Sequence, residues 1–218
     1  MAFLLSIFFS PTPAVNPVTH QYYYYYPISQ QDELVVIPNF ENSRDSTDII
    51  KENNCKYAIN GGLYLENNQP LGQFYLNGTT LNHKSQSATF NGFLSQNIQG
   101  VLDIGKSSIE NSKFIMQSGP FFNLNSIPID YNEKTARRHV IAKDSANNFY
   151  IFSIFTPESF SSGPSLSEIP QFFQKPEIKK IANFTDVLTL DGGSASVFFS
   201  PNDSIHESTF IGSLLCWK

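Results

Sequence analysis

The sequence predicts an α+β fold with a strand-rich, mixed or antiparallel sheet core and a few short helices. Two observations support this. The 20 Phe and 10 Tyr residues far outnumber the 2 Met and 1 Trp, and aromatic residues favour strands. Short apolar runs are also separated by turn residues at close intervals, while helix-capping patterns are few. Many strands with few helices are typical of the α+β class, and 218 residues suit one domain.

Strands and one helix are predicted in the first quarter of the chain. The run of five tyrosines at residues 22–26 predicts an aromatic strand, and residues 35–38 predict another. Asp45, Ser46, Thr47 and Asp48 are N-capping residue types, so a short helix should begin there and end near Asn53 and Asn54. Residues 56–59 return to a strand, which halts at Asn60-Gly61-Gly62.

Hairpins should dominate the middle of the chain. Residues 72–124 predict a meander of short strands, with turns at Asn77-Gly78 and Asn91-Gly92. Residues 138–143 and 149–155 predict a further hairpin around the polar turn 144–148.

Two short helices and a strand follow. Ser165 and Glu168 form a capping-box pattern, which predicts a helix to about Gln174. Pro176 can start a second helix, because proline is favoured in the first turn. Residues 187–190 then predict a strand that ends at Asp191-Gly192-Gly193.

The N-terminal residues 1–20 are predicted to be a segment apart from the domain, which we place at residues 21–218. Residues 2–9 are apolar but too short to span a bilayer, and they lack the positive flank of a typical signal peptide. A Pro-rich linker follows at Pro11, Pro13 and Pro17. We expect a truncated signal and an exported protein, periplasmic or extracellular, without a transmembrane span. An N-terminal strand or a misplaced start codon is the alternative.

Composition limits the possible partners and cofactors. The chain has 14 basic and 19 acidic residues, with no basic stripe, which argues against nucleic acid and anionic membranes as partners. Two cysteines and four scattered histidines make no metal-binding cluster, so no metal or cofactor is expected. Cys55 and Cys216 could form a disulfide that ties the tail to the core, or remain two buried thiols; both stay open.

Four polar motifs interrupt strand ends and are the candidates for chemistry. They are Asn60-Gly61-Gly62, Ser118-Gly119-Pro120, Arg137-Arg138-His139-Val140 and the stretch 191–196, Asp-Gly-Gly-Ser-Ala-Ser. Glycine pairs can present bare backbone amides to an anion or a sugar hydroxyl, and an arginine can bind phosphate with two parallel hydrogen bonds. A carboxylate at a strand end can act as an acid, a base or a metal ligand. Taken singly, each motif could equally be a turn or a solvated pair.

Together, in this order, the four motifs resemble the phosphodiester glycosidase family over residues 57–198. The resemblance implies an α+β fold and a hydrolase that cleaves the glycosidic bond between a sugar and a phosphodiester. It implies catalytic roles for Asp191, Arg138 and Asn60, although Arg137, one step away, could be the matching arginine. It implies substrate-binding roles for a further set: Gly61, Gly62, Ser118, Gly119, Arg137, Gly192, Gly193, Ser194 and Ser196.

The sequence departs from the family pattern at three places. Leu63 separates the glycine pair from the aromatic Tyr64, and Ala142 stands where relatives often have glycine. Ser194 and Ala195 stand where relatives often continue with glycine and serine. These changes bear on substrate and activity rather than on the fold.

The function expected from the resemblance is hydrolysis of a sugar-1-phosphodiester in bacterial envelope glycan or exopolysaccharide. The alternative is a non-catalytic carbohydrate- or phosphate-binding protein of the same fold, with a role in exopolysaccharide assembly. A purely structural surface module, in which the polar motifs stay dispersed, is the third possibility. Asp191 is the candidate carboxylate, and Glu66, Asp103 and Asp130 are weaker candidates for a second one. The oligomeric state is not predicted.

Overall fold

Three antiparallel β-sheets build the protein. The computed structural model describes residues 14–15, 22–29, 32–41, 43–126, 131, 135–156, 159 and 161–218. Every strand pair among these residues is antiparallel. The fold is therefore mostly β with a few short helices, and the antiparallel form of the predicted sheet is the observed one.

The first sheet has six strands, and one of them begins at Arg138, directly after Arg137. In order across the sheet they are β1 (Ala14–Val15), β2 (Tyr22–Ile28), β12 (Phe149–Phe155), β11 (Arg138–Asp144), β13 (Phe184–Thr189) and β10 (Phe121–Asn123). The tyrosine run thus forms a strand, as predicted, and β11 and β12 form the predicted hairpin. The start of β11 and the end of β13 lie at the same end of the sheet, since Val140 pairs with Thr189.

The second sheet has five strands and carries Asn60. In order they are β15 (Ser204–Ile205), β14 (Phe198–Phe199), β4 (Tyr57–Asn60), β16 (Ser213–Trp217) and β3 (Leu34–Pro38). The C-terminal strand therefore lies between two strands from the first third of the chain. All four residues of β4 are buried, so Asn60 ends its strand inside the protein.

The third sheet contradicts the predicted meander. Its order is β6 (Thr79–Asn82), β5 (Phe74–Leu76), β9 (Ser112–Ser118), β7 (Gly92–Asn97) and β8 (Leu102–Gly105), so β9 inserts between two hairpins. The predicted turn at Asn77-Gly78 is confirmed, but Asn91-Gly92 is not a hairpin turn. A side chain at Gly92 would lie 2.4 Å from Leu188 Cδ1 and 2.7 Å from Phe121 Cβ. That glycine allows close packing instead.

The helices are short and cover the outer faces of two sheets. They are α1 (Ser46–Asn53), a 3₁₀ turn (Leu166–Glu168), α2 (Ile169–Phe173), α3 (Pro176–Lys179) and a 3₁₀ turn (Gly193–Ala195). Asp45 caps α1 by accepting from the Thr47 amide at 2.8 Å. The capping box is present, with the Glu168 carboxylate accepting from the Ser165 amide at 2.7 Å. These helix starts were predicted correctly.

Three buried clusters hold the layers together. The largest joins all three sheets and includes Ile59, Leu94 and Leu188. A second packs α2 and α3 against the first sheet, and a third packs α1 against the second sheet. Cys55 and Cys216 form a disulfide with a Cα–Cα distance of 5.4 Å, which resolves the alternative left open by the sequence.

The N-terminal segment lies mostly outside the described residues, including the apolar run 2–9 and the prolines of the linker. Within it, Ala14 and Val15 pair with Tyr23 and Tyr22. No helix among the described residues is long and apolar enough to cross a membrane.

Candidate active site

A cavity of about 330 Å³ lies where β11 begins and β13 ends. Asp191 and Arg138 both line it, with Gly119, Gly192 and Gly193. The second, third and fourth sequence motifs therefore each contribute to one cavity. The volume suits a single small ligand, since ligand pockets commonly start at about 300 Å³.

Apolar side chains form most of the remaining wall of the cavity: Leu63, Leu71, Phe90, Leu166 and Leu190. Ser87 and Thr89 add polar atoms at the same surface. An apolar wall lowers the local dielectric constant and so strengthens the interaction between charges in the cavity. It also disfavours an ionised carboxyl group there.

Asp191 has a carboxyl group whose proton affinity is strongly raised. Burial raises its pKa from 3.8 to about 7, and the amide of Gly192 and the charge of Arg138 only partly oppose that effect. The amide of Gly192 donates to Asp191 Oδ1 at 2.8 Å. A carboxyl group with a pKa near neutrality can exchange a proton at physiological pH, which is the property of a general acid or base.

Arg138 begins β11 and Arg137 directly precedes it, and the two side chains lie in different surroundings. Arg138 lines the cavity, and its Nε donates to the carbonyl of Pro164 at 3.1 Å. Arg137 is only 4% exposed and donates to the carbonyl oxygens of Gly193 at 2.9 Å and Ser196 at 3.4 Å. Burial lowers its pKa to about 10, so it stays charged at neutral pH.

The amides of the Asp191 motif are already used within the protein. The Gly192 amide donates to Asp191 Oδ1, and the Gly193 amide donates to the carbonyl of Arg137 at 2.9 Å. The bare amides expected from the sequence are therefore engaged in this structure. Gly193 adopts a φ of +65°, a left-handed conformation that favours glycine.

Asn60 lies beneath the cavity, 1% exposed, with both ends of its amide in use. Its Nδ2 donates to the carbonyl of Asp191 at 2.9 Å, and its Oδ1 accepts from the Val197 amide at 2.9 Å. Asn60 Oδ1 also lies 2.6 Å from Nδ1 of His139. Asn60 thus contacts the backbone of the candidate carboxylate rather than the cavity.

Gly61 and Gly62 are buried and serve close packing. A side chain at Gly61 would lie 2.1 Å from Ser213 Oγ, and one at Gly62 would lie 3.0 Å from the carbonyl of Gln117. Their amides donate to the Ser213 carbonyl at 2.8 Å and to Met116 Sδ at 2.9 Å. Neither amide is free to bind an anion.

The remaining serines of the predicted set lie in different surroundings. Ser118 is fully buried and donates to the carbonyl of Thr189 at 2.7 Å. Gly119, the next residue, reaches the cavity, and a side chain there would lie 2.5 Å from the Thr89 carbonyl. Ser194 is exposed and accepts from Thr209 Oγ1 at 3.2 Å. Ser196 is buried, and its hydroxyl has no hydrogen-bond partner among the described residues.

None of the candidates for a second carboxylate that the structure describes lies in the cavity. Asp103 pairs with Lys143 at 2.7 Å and lines a separate cavity of about 610 Å³ at the opposite end of β11. Glu66 is exposed and does not line the cavity of Asp191. Asp130 lies outside the described residues. Within the described part of the chain, no group of three or more His, Cys, Asp or Glu residues could hold a metal ion.

Sequence reasoning gave no role to His139, and it missed Ser153 and the hydroxyl-bearing segment at Ser87 and Thr89. His139 directly follows the arginine pair, and alternation places it on the same face as Arg137. That position could have indicated a buried polar residue behind the site. Ser87 and Thr89 stand in no recognisable motif, and only the tertiary fold brings them to the cavity.

Comparison with known proteins agrees with this architecture. The family model described as phosphodiester glycosidase matches residues 53–211. No curated protein matches the chain in sequence.

Three solved structures share the fold at low sequence identity. The catalytic domain of zebrafish N-acetylglucosamine-1-phosphodiester alpha-N-acetylglucosaminidase, auto-inhibited by its pro-peptide, has a TM-score of 0.65 at 15% identity, covering 94% of this chain and 86% of that one. A protein from Synechocystis has a TM-score of 0.59 at 14% identity, covering 93% of this chain and 60% of that one. A Burkholderia pseudomallei protein described as exported has a TM-score of 0.56 at 9% identity, covering 90% and 74%.

The family match spans well over half of the chain and contains all four polar motifs. The chain belongs to the phosphodiester glycosidase family.

Proposed function

We propose that this protein hydrolyses the bond between an anomeric carbon and a phosphodiester oxygen. The observation that carries the proposal is that Asp191, with a pKa of about 7, and Arg138 line the same small cavity. The zebrafish relative is by name a sugar-1-phosphodiester glycosidase, which favours a substrate of the same class here.

The proposed reaction gives Arg138 and Asp191 different roles: Arg138 acts on the departing phosphate and Asp191 on the attacking water. When the C–O bond breaks, the electron pair leaves with the phosphate oxygen, and the anomeric carbon gains oxocarbenium character. Arg138 stabilises the negative charge on the departing phosphate, because a guanidinium donates charge-assisted hydrogen bonds to phosphate oxygens. The ionised Asp191 accepts a proton from the water that attacks the anomeric carbon.

A single carboxylate is sufficient for this chemistry. Most glycosidases use two, one of which protonates the leaving oxygen. A phosphate monoester is a good leaving group without such protonation, so the acid is dispensable. Among the described residues that line the cavity, Asp191 is the one carboxylate, which is consistent with a reaction that needs no separate acid.

The remaining members of the predicted site act indirectly in this proposal. Asn60 and Arg137 hold the backbone of residues 191–197, while Ser118 holds the carbonyl of Thr189 at the end of β13. Gly119 lets the chain pass close to Thr89 at the cavity wall. The substrate is proposed to come from envelope glycan or exopolysaccharide outside the cytoplasm, where the Cys55–Cys216 disulfide would persist.

The test is release of free sugar from a panel of sugar-1-phosphodiesters that differ in sugar and in the group beyond the phosphate. Wild-type protein is compared with Asp191→Asn and Arg138→Ala. We expect release by the wild type, and losses of at least about a hundredfold in both variants, as for removal of a charge-stabilising group elsewhere.

Two matched variants control for charge and stability. Asp186→Asn changes a carboxylate on β13, and Arg44→Ala removes an arginine whose carboxylate partner is Glu52. Both should retain wild-type release. Substrate binding without release by any protein would favour the non-catalytic binding function instead. Equal release by all five proteins would reject Asp191 and Arg138 as the site.

A further inference from the structure

We propose that His139 is a positioning residue which, through Asn60, fixes the loop of residues 191–197 that carries the candidate carboxylate. His139 does not line the cavity, and it touches Asn60 on one side and Ser153 on the other. The effect on substrate is therefore indirect.

The hydrogen bonds form an unbroken chain from β12 to the cavity wall. Ser153 Oγ lies 2.9 Å from His139 Nε2, and His139 Nδ1 lies 2.6 Å from Asn60 Oδ1. Asn60 then donates to the Asp191 carbonyl at 2.9 Å and accepts from the Val197 amide at 2.9 Å. One amide side chain thus ties both ends of the loop, and His139 ties that side chain to the first sheet.

The partners assign a single neutral tautomer to His139. Asn60 Oδ1 is an acceptor, so His139 Nδ1 carries the hydrogen, and Nε2 then accepts from the Ser153 hydroxyl. The orientation of the Asn60 amide is also fixed at its other end, because Nδ2 donates to the Asp191 carbonyl. The histidine therefore also prevents the amide of Asn60 from rotating by half a turn, which would place its oxygen against the Asp191 carbonyl.

Burial makes each hydrogen bond of this chain difficult to replace. His139 and Ser153 are fully buried and Asn60 is 1% exposed, so no solvent can replace a lost partner without entering the core. Burial, together with the nearby charge of Arg137, lowers the pKa of His139 well below 6.5, which keeps the ring neutral. An unpaired buried polar group is unfavourable, so each member of the chain depends on its neighbours.

The test measures the loop directly, by amide hydrogen exchange, and does not need a substrate. The Val197 amide reports on the Asn60 bond, and the Leu94 amide in the third sheet reports on the stability of the whole fold. His139→Leu should speed exchange at Val197 about tenfold relative to Leu94, because it removes the donor to Asn60. His139→Gln, whose amide can both donate and accept, should restore most of the protection.

Ser153→Ala supplies a milder test that leaves Asn60 with its donor. It should speed Val197 exchange less than His139→Leu does. Ile178→Ala, which creates a cavity under α3, serves as the matched control and should change Val197 and Leu94 together. Unchanged relative exchange in His139→Leu, or in Ser153→Ala should the leucine variant not fold, would overturn the proposal. Equal loss in the Gln and Leu variants would also overturn it, since ring shape and not hydrogen bonding would then be responsible.

The kinetic consequence rests on the proposed function and is measured separately. His139→Leu should lower kcat about tenfold with little change in KM, while His139→Gln stays near the wild type. If the wild type releases no sugar, the proposed function fails, but the exchange result still decides the role of His139. A rise in KM with kcat unchanged would place His139 in substrate binding and contradict a positioning role.

Discussion

Arg137 and Gly193 are joined by two reciprocal hydrogen bonds. The guanidinium of Arg137 donates to the Gly193 carbonyl at 2.9 Å, and the Gly193 amide donates to the Arg137 carbonyl at 2.9 Å. The buried arginine therefore holds the glycine loop from beneath, while its neighbour Arg138 faces the cavity. The two adjacent arginines thus have different roles, and substituting each in turn should affect ligand binding differently.

Arg138→Met should weaken anion binding, whereas Arg137→Met should largely preserve it. Loss of a charge-assisted hydrogen bond is worth about 1.5–3 kcal/mol, so we expect roughly tenfold to hundredfold weaker binding of a sugar-1-phosphodiester for Arg138→Met. Isothermal titration calorimetry on the Asp191→Asn background avoids turnover. Arg44→Met, at an exposed ion pair, is the control. Equal weakening by both substitutions in the pair would contradict separate roles for the two arginines.

Asp191→Asn should stabilise the protein above pH 7. The carboxyl pKa rises from 3.8 in the unfolded chain to about 7 in the fold, so its contribution to stability is fully present below pH 4 and is lost as the pH rises through 7. The full shift corresponds to about 4 kcal/mol, and partial exposure of the side chain reduces our expectation to about 2 kcal/mol.

Urea denaturation at pH 4 and pH 8 measures this difference. The Asn variant should match the wild type at pH 4 and exceed it in unfolding free energy at pH 8. Asp186→Asn controls for the removal of a carboxylate from β13, the strand that precedes Asp191. A variant that is less stable at pH 8 would mean that the ionised carboxylate is stabilised by its surroundings.

The pH dependence of hydrolysis should report the same carboxyl group. Because the ionised form of Asp191 is proposed to accept the proton from water, kcat/KM should rise with pH and level off above about 7. The charge of Arg138 lowers this pKa, so Arg138→Met should move the rising limb to higher pH. A bound anionic substrate opposes ionisation, which places the limb of kcat above that of kcat/KM. A rate that falls through pH 7 would make Asp191 a proton donor instead.

Local chemistry explains which parts of the fold were predictable from the sequence. The cap at Asp45, the turn at Asn77-Gly78 and the capping box at Ser165 depend on residues within four positions of each other. Asn91-Gly92 has the same turn chemistry but serves a distant contact, in which Leu188 and Phe121 occupy the space beside the glycine. The insertion of β9 between two hairpins likewise depends on long-range pairing that no local pattern contains.

The candidate site was predictable as a set of motifs but not as a set of roles. Strand alternation indicates that Arg137 and Arg138 face opposite sides, yet only the packed layers decide which side holds the cavity. The amides of Gly192 and Gly193 look free in the sequence, but the first donates to the side chain of Asp191 and the second to the carbonyl of the distant Arg137. The same holds for Asn60, whose partners lie 79 and 137 residues away along the chain.

Reduction of the Cys55–Cys216 disulfide should destabilise the protein by up to about 5 kcal/mol. The bridge spans a sequence separation of 161 residues, and the closure of so long a loop restricts the unfolded chain strongly. The bridge also lies in the same buried cluster as Ala195 and Val197, so its loss should loosen the loop beside Asp191. Urea midpoints of the wild type with and without reductant, compared with a Cys55→Ala/Cys216→Ala variant, measure the effect. The reduced protein and the double variant should agree. A double variant as stable as the oxidised wild type would show that the packing of the cluster, and not the covalent link, holds the C-terminal strand in place.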